Sequence, residues 1–319
     1  MGGSPLFVHG GAASQRKGRR DMGLMAWLRR LDSWRSKKRH MWQQRTEREC
    51  LLKYIDTADM EDSEDLKAMF SQNRLDRLPV YPYMWARESN FPVPEVYFDE
   101  SRHLHYVDWN GKKLYWKRDT SKETVADIVR FLKIEQHEKS PHRYEMPEYL
   151  SGGVVADIGT ADGCFALDII DRARYVYLFE CDEAWMEALE ATFAPWKDKV
   201  FIVNKFVGAG NGGDYVTLDT FFSDKSLDFI KADIEGAEMD MLSFGEDTLR
   251  RKVRGVNVCL YHRATDEENI LGLLHTYGYT CNVNPGHMFF YKTDIVGQHC
   301  EKPKEWLRRG VVRAERKTV

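Results

Sequence analysis

Several absences narrow the field before any motif is read. No stretch approaches the ~20 apolar residues that cross a bilayer. Met1 to Gln15 lacks the charged start and long apolar run of a secretory leader. Of the six cysteines, Cys50, Cys164, Cys181, Cys259, Cys281 and Cys300, no two form a CxxC pair, so neither a zinc site nor a disulfide framework is expected. Buried free thiols in a reducing compartment, the cytoplasm by default, are the expectation. A net charge of −3 over 319 residues gives the whole chain no pull toward nucleic acid. There is no internal repeat.

The charge is nevertheless uneven. Residues 1–53 carry thirteen Lys or Arg against four Asp or Glu. Residues 1–20 read as disordered or tag-like. Leu24, Trp27, Leu28 and Leu31 recur at helical spacing within a basic helix over 21–55. That helix either packs on the main domain or touches a membrane surface or acidic partner. A second helix is expected over 59–72, and Pro79, Pro82, Pro92 and Pro94 then break the chain into a linker, so 21–94 is read as a helical extension. In 95–140, Asn110-Gly111 between strand-like runs marks a hairpin, because both central residues of such a turn need positive φ, and a helix follows over Lys122 to His137.

From Pro141 to Thr293 strands and helices alternate, the pattern of a parallel sheet covered on both faces. Strands are expected at Gly153–Ile158, Tyr175–Glu180, Val200–Phe206, Leu227–Ala232 and Gly255–Leu260. Tyr279–Val283 and His287–Tyr291 flank Asn284-Pro285-Gly286 as a closing hairpin. Residues 294–319 are left as a C-terminal tail. Deleting 1–55 is expected to leave ligand binding intact.

The strongest motif is Val154-Val155-Ala156-Asp157-Ile158-Gly159-Thr160-Ala161-Asp162-Gly163, an apolar strand running into a glycine turn and a helix start. Glycines allow the sharp turn and a close ligand approach, and the helix start offers free N–H groups. Glu180 ends the next strand, followed by Cys181, where a carboxylate can accept both hydroxyls of a ribose. The turn is not the G-x-G-x-x-G of dinucleotide folds. An acid at Asp157 repels a pyrophosphate and suits a cationic methionine moiety, which points to S-adenosylmethionine held by Asp157, Gly159, Thr160, Gly163, Glu180 and Cys181. A second constellation, Lys231-Ala232-Asp233-Ile234-Glu235-Gly236-Ala237-Glu238, follows the fourth strand. Ligands bind beyond the carboxyl ends of such strands, so Asp233 and Glu235 face the reacting methyl group or the acceptor. His262 ends the fifth strand, where an imidazole of ordinary pKa could serve as general base, and Arg263 beside it could hold an anionic acceptor.

These residues resemble the FkbM-type methyltransferase family. The likeness rests on Thr217-Leu218-Asp219, the Lys231–Glu238 run, the Asp157–Gly163 turn and Leu178-Phe179-Glu180, with Glu135-Gln136, Ser140-Pro141-His142-Arg143-Tyr144 and Tyr261-His262-Arg263 as a further shared set. The resemblance implies a class I, Rossmann-like α/β sheet of seven strands in the order three-two-one-four-five-seven-six. It implies methyl transfer to a hydroxyl, on a sugar, glycan or secondary metabolite. His262, Asp233 and Glu235 would be catalytic, and His142, Arg143, Tyr144 and Arg263 would meet the acceptor. Asp219, Asp233 and Glu235 are hard oxygen donors that leave room for a divalent ion, although no dedicated metal loop is seen. A nucleic-acid or protein methyltransferase and a non-catalytic cofactor-binding module are the alternatives. The first draws only on the basic N-terminus and lacks an N-P-P-Y-type clamp after the fourth strand.

Overall fold

The computed structural model describes residues 43–72, 74–88, 91–293 and 295–316. The tag-like segment and the apolar stripe of Leu24, Trp27, Leu28 and Leu31 lie outside the described residues.

A three-stranded antiparallel sheet comes first, with β1 (Val96–Asp99), β2 (Leu104–Trp109) and β3 (Lys112–Tyr115). Asn110 and Gly111 turn β2 into β3 with φ of 54° and 83°, the mirror-image turn that matches strand twist. The helix Lys122–Glu135 begins where the Ser121 side chain accepts from the Thr124 amide, and it buries Val125, Val129 and Leu132.

The main sheet is built from β4 (Val154–Ile158), β5 (Tyr175–Phe179) and β6 (Val200–Val203). After a short pair, β7 (Phe206–Val207) with β8 (Tyr215–Val216), come β9 (Phe229–Ala232), β10 (Gly255–Cys259) and β11 (Thr280–Val283). Every residue of β4, β9 and β10 is buried, as expected of parallel strands covered on both faces. The ribbon β12 (Met288–Phe289) with β13 (Leu307–Arg308) precedes the last strand, β14 (Val311–Glu315). The sheet order is β11-β14-β10-β9-β4-β5-β6, with β14 antiparallel to both neighbours. In order of use this is six-seven-five-four-one-two-three, the class I methyltransferase arrangement.

Two expectations need correction. The seventh strand is β14, not His287–Tyr291. Asn284-Pro285-Gly286 does not join two paired strands as a hairpin. The Asn284 side-chain amide instead donates to the carbonyls of Pro141 and Arg143 at 3.1 and 2.8 Å, and the chain leaves the sheet before returning. Residues 311–315 are therefore sheet interior, and neither a domain end at 293 nor a tail from 294 survives. The N-terminal region is also not a separate extension. Leu51 and Ile55, from the helix over 43–57, join Leu66 and Phe70 in one buried cluster with Tyr261, Met288 and Trp306. Asp62 locks this cluster down, accepting from the Tyr83 hydroxyl at 2.6 Å and lying 2.9 Å from His287 Nδ1.

Candidate active site

The turn after β4 is shaped by contacts that leave no room for side chains. Gly159 has φ of 71°, and a Cβ there would come within 1.8 Å of the Asp233 carbonyl oxygen. The turn is thus packed directly against the end of β9. Gly163, with φ of 84°, caps the helix Cys164–Ile169, and the Thr160 hydroxyl donates to the Asp157 carbonyl at 2.8 Å.

Asp157 is fully buried and paired across the sheet with Lys231, whose ammonium lies 3.1 Å from it and donates to the Gly159 carbonyl at 2.7 Å. Burial raises the Asp157 carboxyl to about 6, against the opposing pull of Lys231. Its charge is therefore directed at Lys231 rather than at a ligand, and the reason given for Asp157 in the sequence does not hold. The cross-strand register Asp157↔Lys231 explains why. A lysine inside an otherwise apolar strand was the available signal.

Glu180 directly follows the end of β5. One carboxylate oxygen accepts from the Ala161 amide at 2.9 Å and the other from Asp182 at 2.8 Å, which fixes the glycine turn relative to β5. Each oxygen retains a lone pair for a ribose hydroxyl. Cys181 beside it is exposed.

Asp233 is the hub. Its Oδ2 accepts from the Tyr144 hydroxyl at 2.7 Å and its Oδ1 from Tyr261 at 3.1 Å. His142 Nε2 stands 3.5 Å from Oδ2, and His262 Nε2 3.2 Å from Oδ1. Burial would raise the Asp233 carboxyl, but the two histidines and Lys231 hold it well below the usual carboxylate range. The Tyr144 hydroxyl also meets His142 Nε2 at 3.2 Å. Behind His142 lies Glu135, its Oε1 4.0 Å from Nδ1 and bonded by the Tyr81 hydroxyl at 3.2 Å. Burial raises the Glu135 carboxyl. Tyr81, Glu135, Lys231, Glu238 and Tyr261 all belong to this network and were not among the expected site residues.

His262 is not placed to be a general base. It is fully buried, with Nδ1 2.9 Å from Glu238 Oε1 and Nε2 facing Asp233. Neither approach is in line with the ring N–H, so these are ion-pair contacts more than directed hydrogen bonds. Burial pulls the imidazole down, yet the two carboxylates lift it to about 10. A cation at neutral pH cannot accept a proton.

Glu235 is exposed at a φ of 53°, with Oε2 3.6 Å from His262 Nε2. Arg263 is exposed above Gly236. Arg143 turns the other way, giving its carbonyl to Asn284 and its charge to the surroundings of Arg313. The oxygen set Asp219, Asp233 and Glu235 is not assembled. Asp219 accepts from the amides of Asp247 and Thr248 at 3.2 and 2.7 Å, capping the helix Glu246–Arg251. Thr217 likewise caps its own helix. Among the described residues, donors close enough for a metal occur in two groups, His142–Asp233–Cys259 and Asp233–Glu238–His262, each with atoms within 4.8 Å of one another.

Residues 214–281 match the family model described as the methyltransferase FkbM domain. Among solved structures, the methyltransferase FkbM from Methylobacillus flagellatus KT aligns at 15% identity and a TM-score of 0.38, over 61% of this chain and 55% of its own. This chain thus spans about half the length of that protein. Trm5b from Pyrococcus abyssi aligns at 14% identity and a TM-score of 0.37, over 67% of this chain and 55% of its own. Magnesium protoporphyrin IX methyltransferase from Synechocystis PCC 6803, solved with bound SAH, aligns at 13% identity and a TM-score of 0.34, over 61% of this chain and 82% of its own. No curated protein matches the chain.

Proposed function

We propose that this protein is an S-adenosylmethionine-dependent O-methyltransferase acting on a hydroxyl of a sugar, glycan or small metabolite. The observation that carries the reading is the contact of Gly159 with the Asp233 backbone. It makes the cofactor turn and the acidic hub one continuous surface at the carboxyl ends of β4 and β9, where such sheets bind ligands.

The bound cofactor supplies an electrophilic methyl carbon. Glu180 holds the ribose, and the amide-rich turn from Gly159 to Gly163 holds the rest of the nucleoside. Asp233, ionised throughout the physiological range, accepts a hydrogen bond from the acceptor hydroxyl and aims an oxygen lone pair at the methyl carbon. Most of the rate would come from this alignment. With the cofactor bound and its methyl group taken up by the acceptor oxygen, the Asp233–Tyr144–His142 network would receive the hydroxyl proton. The products are a methyl ether and S-adenosylhomocysteine. Free thiols at all six cysteines suit a reducing compartment such as the cytoplasm. No described helix is long and apolar enough to cross a membrane.

The test is an acceptor screen with methyl-labelled S-adenosylmethionine against sugars, nucleotide-sugars, lipid-linked glycans, RNA and protein. Label in a hydroxyl-bearing glycan or metabolite, lost in Asp233→Asn while S-adenosylhomocysteine still binds, is the expected result. Label in an RNA base or in protein would overturn the acceptor class. Cofactor binding without transfer to any acceptor would favour a binding module.

A further inference from the structure

A large cavity lies away from this chemistry. It encloses about 790 Å³ at the opposite end of the sheet, where β9 and β10 begin at Phe229 and Gly255. One wall is the face of β10, β14 and β11 that presents Asn257, Arg313 and Asn282. The other is the segment Glu145 to Tyr149. Faces of a largely parallel sheet are normally sealed by apolar helices, and this one is polar and open.

Its charges are unevenly matched. Glu145 is engaged by Arg313 at 2.6 Å, and Glu315 by the Tyr149 hydroxyl. Arg254 and Arg316 line the cavity with no carboxylate partner among the described residues, and Arg254 instead lies over the Tyr149 ring at 5.0 Å. The Nε atoms of Arg254 and Arg313 are buried without a hydrogen-bond acceptor. A buried donor without an acceptor is costly, and guanidinium groups pair best with planar or tetrahedral oxyanions. Tyr149, Pro147 and Phe229 add an apolar strip beside them.

We propose that this cavity is a second ligand site that binds a small organic anion, its phosphate or carboxylate on Arg254, Arg313 and Arg316 and its apolar body against Tyr149 and Phe229. The site is joined to the methyl-transfer centre by one short segment. Asn257 donates to the Glu145 carbonyl at 2.9 Å, and the preceding residue, Tyr144, holds Asp233. The inference stands independently of the acceptor.

The experiment is calorimetric titration of the full chain with phenyl phosphate, benzoate and inorganic phosphate, each with and without saturating S-adenosylhomocysteine. Saturable binding of phenyl phosphate or benzoate at one site per chain is expected, unaffected by S-adenosylhomocysteine. Whichever aromatic anion binds tells phosphate from carboxylate. Arg254→Gln and Arg316→Gln should each weaken it about tenfold, the usual effect of losing a charged hydrogen bond. No saturable binding by either aromatic anion overturns the proposal. So do unchanged affinity in both variants, displacement by S-adenosylhomocysteine, and inorganic phosphate binding as tightly as the aromatic anions.

Discussion

His262 Nδ1 stands 2.9 Å from Glu238 Oε1, and both side chains are sealed from solvent. The pair favours the cationic form of the histidine, and the first prediction concerns its titration. Its imidazole should titrate near 10 rather than near the ordinary ~6.5 of a free histidine. Because the folded pKa lies above the unfolded one, its contribution to stability is fully present below about 6.5 and is lost as pH rises toward 10. Nitrogen-15 NMR of the ring, with urea denaturation at pH 6.5 and 9.5, would show both effects. A ring that titrates near neutrality would restore His262 as a candidate base.

Glu238→Gln should be strongly destabilising. It leaves a buried imidazolium with one carboxylate fewer, and it weakens the bond from the Ile234 amide that Glu238 Oε1 accepts at 2.8 Å. Breaking a buried pair from one side costs about 3–5 kcal/mol. Urea denaturation at pH 7 reads this directly, and a loss under ~1 kcal/mol would mean the pair is not an ion pair.

Glu180→Gln tests the cofactor side. The substitution keeps the size but removes the charge that accepts two backbone amides. Affinity for S-adenosylhomocysteine should fall about 10- to 100-fold, the equivalent of ~1.5–3 kcal/mol for hydrogen bonds to a charged group. Calorimetry showing unchanged affinity would remove Glu180 from the ribose site.

The motif from Val154 to Gly163 was legible because its glycines and apolar run are local signals, and Asp233 was legible because topology alone puts the end of β9 at the crevice. The roles of Asp157 and His262 were not. Each depends on a partner distant in sequence or on the other side of a turn, Lys231 for one and Glu238 for the other, and a single sequence shows no cross-strand register. The strand β14 was missed for a related reason. Val311-Val312-Arg313-Ala314-Glu315 is short and carries two charges, and only its insertion between β10 and β11 makes it a strand.

Gly159→Ala should be among the costliest small changes in the chain. The new methyl group would meet the Asp233 carbonyl at 1.8 Å, where only backbone could yield, at a φ unsuited to alanine. Overpacking and backbone strain together suggest ~2–5 kcal/mol. Gly208→Ala is the control, since nothing lies within 4 Å of its Cβ position. Thermal melts of the two variants should separate clearly, and equal melts would contradict the close packing of the turn on β9.

Leu51→Ala tests the N-terminal packing. Leu51 is fully buried in the cluster that backs Tyr261 and Trp306, so truncation should cost about 2–5 kcal/mol. For the same reason, removing residues 1–55 should lower the melting temperature of the remaining protein. A truncated protein as stable as the full chain would show that this region is dispensable.

The central position of β14 carries a consequence for how the protein is made. A ribosome releases β4 to β11 first, and until residues 311–315 emerge the neighbouring strands β10 and β11 have no partner between them. During that interval two unpaired strand edges are open to pairing with other chains. The nascent protein should therefore depend on holding factors late in synthesis, and a premature stop anywhere before residue 311 should yield aggregate rather than a smaller folded protein.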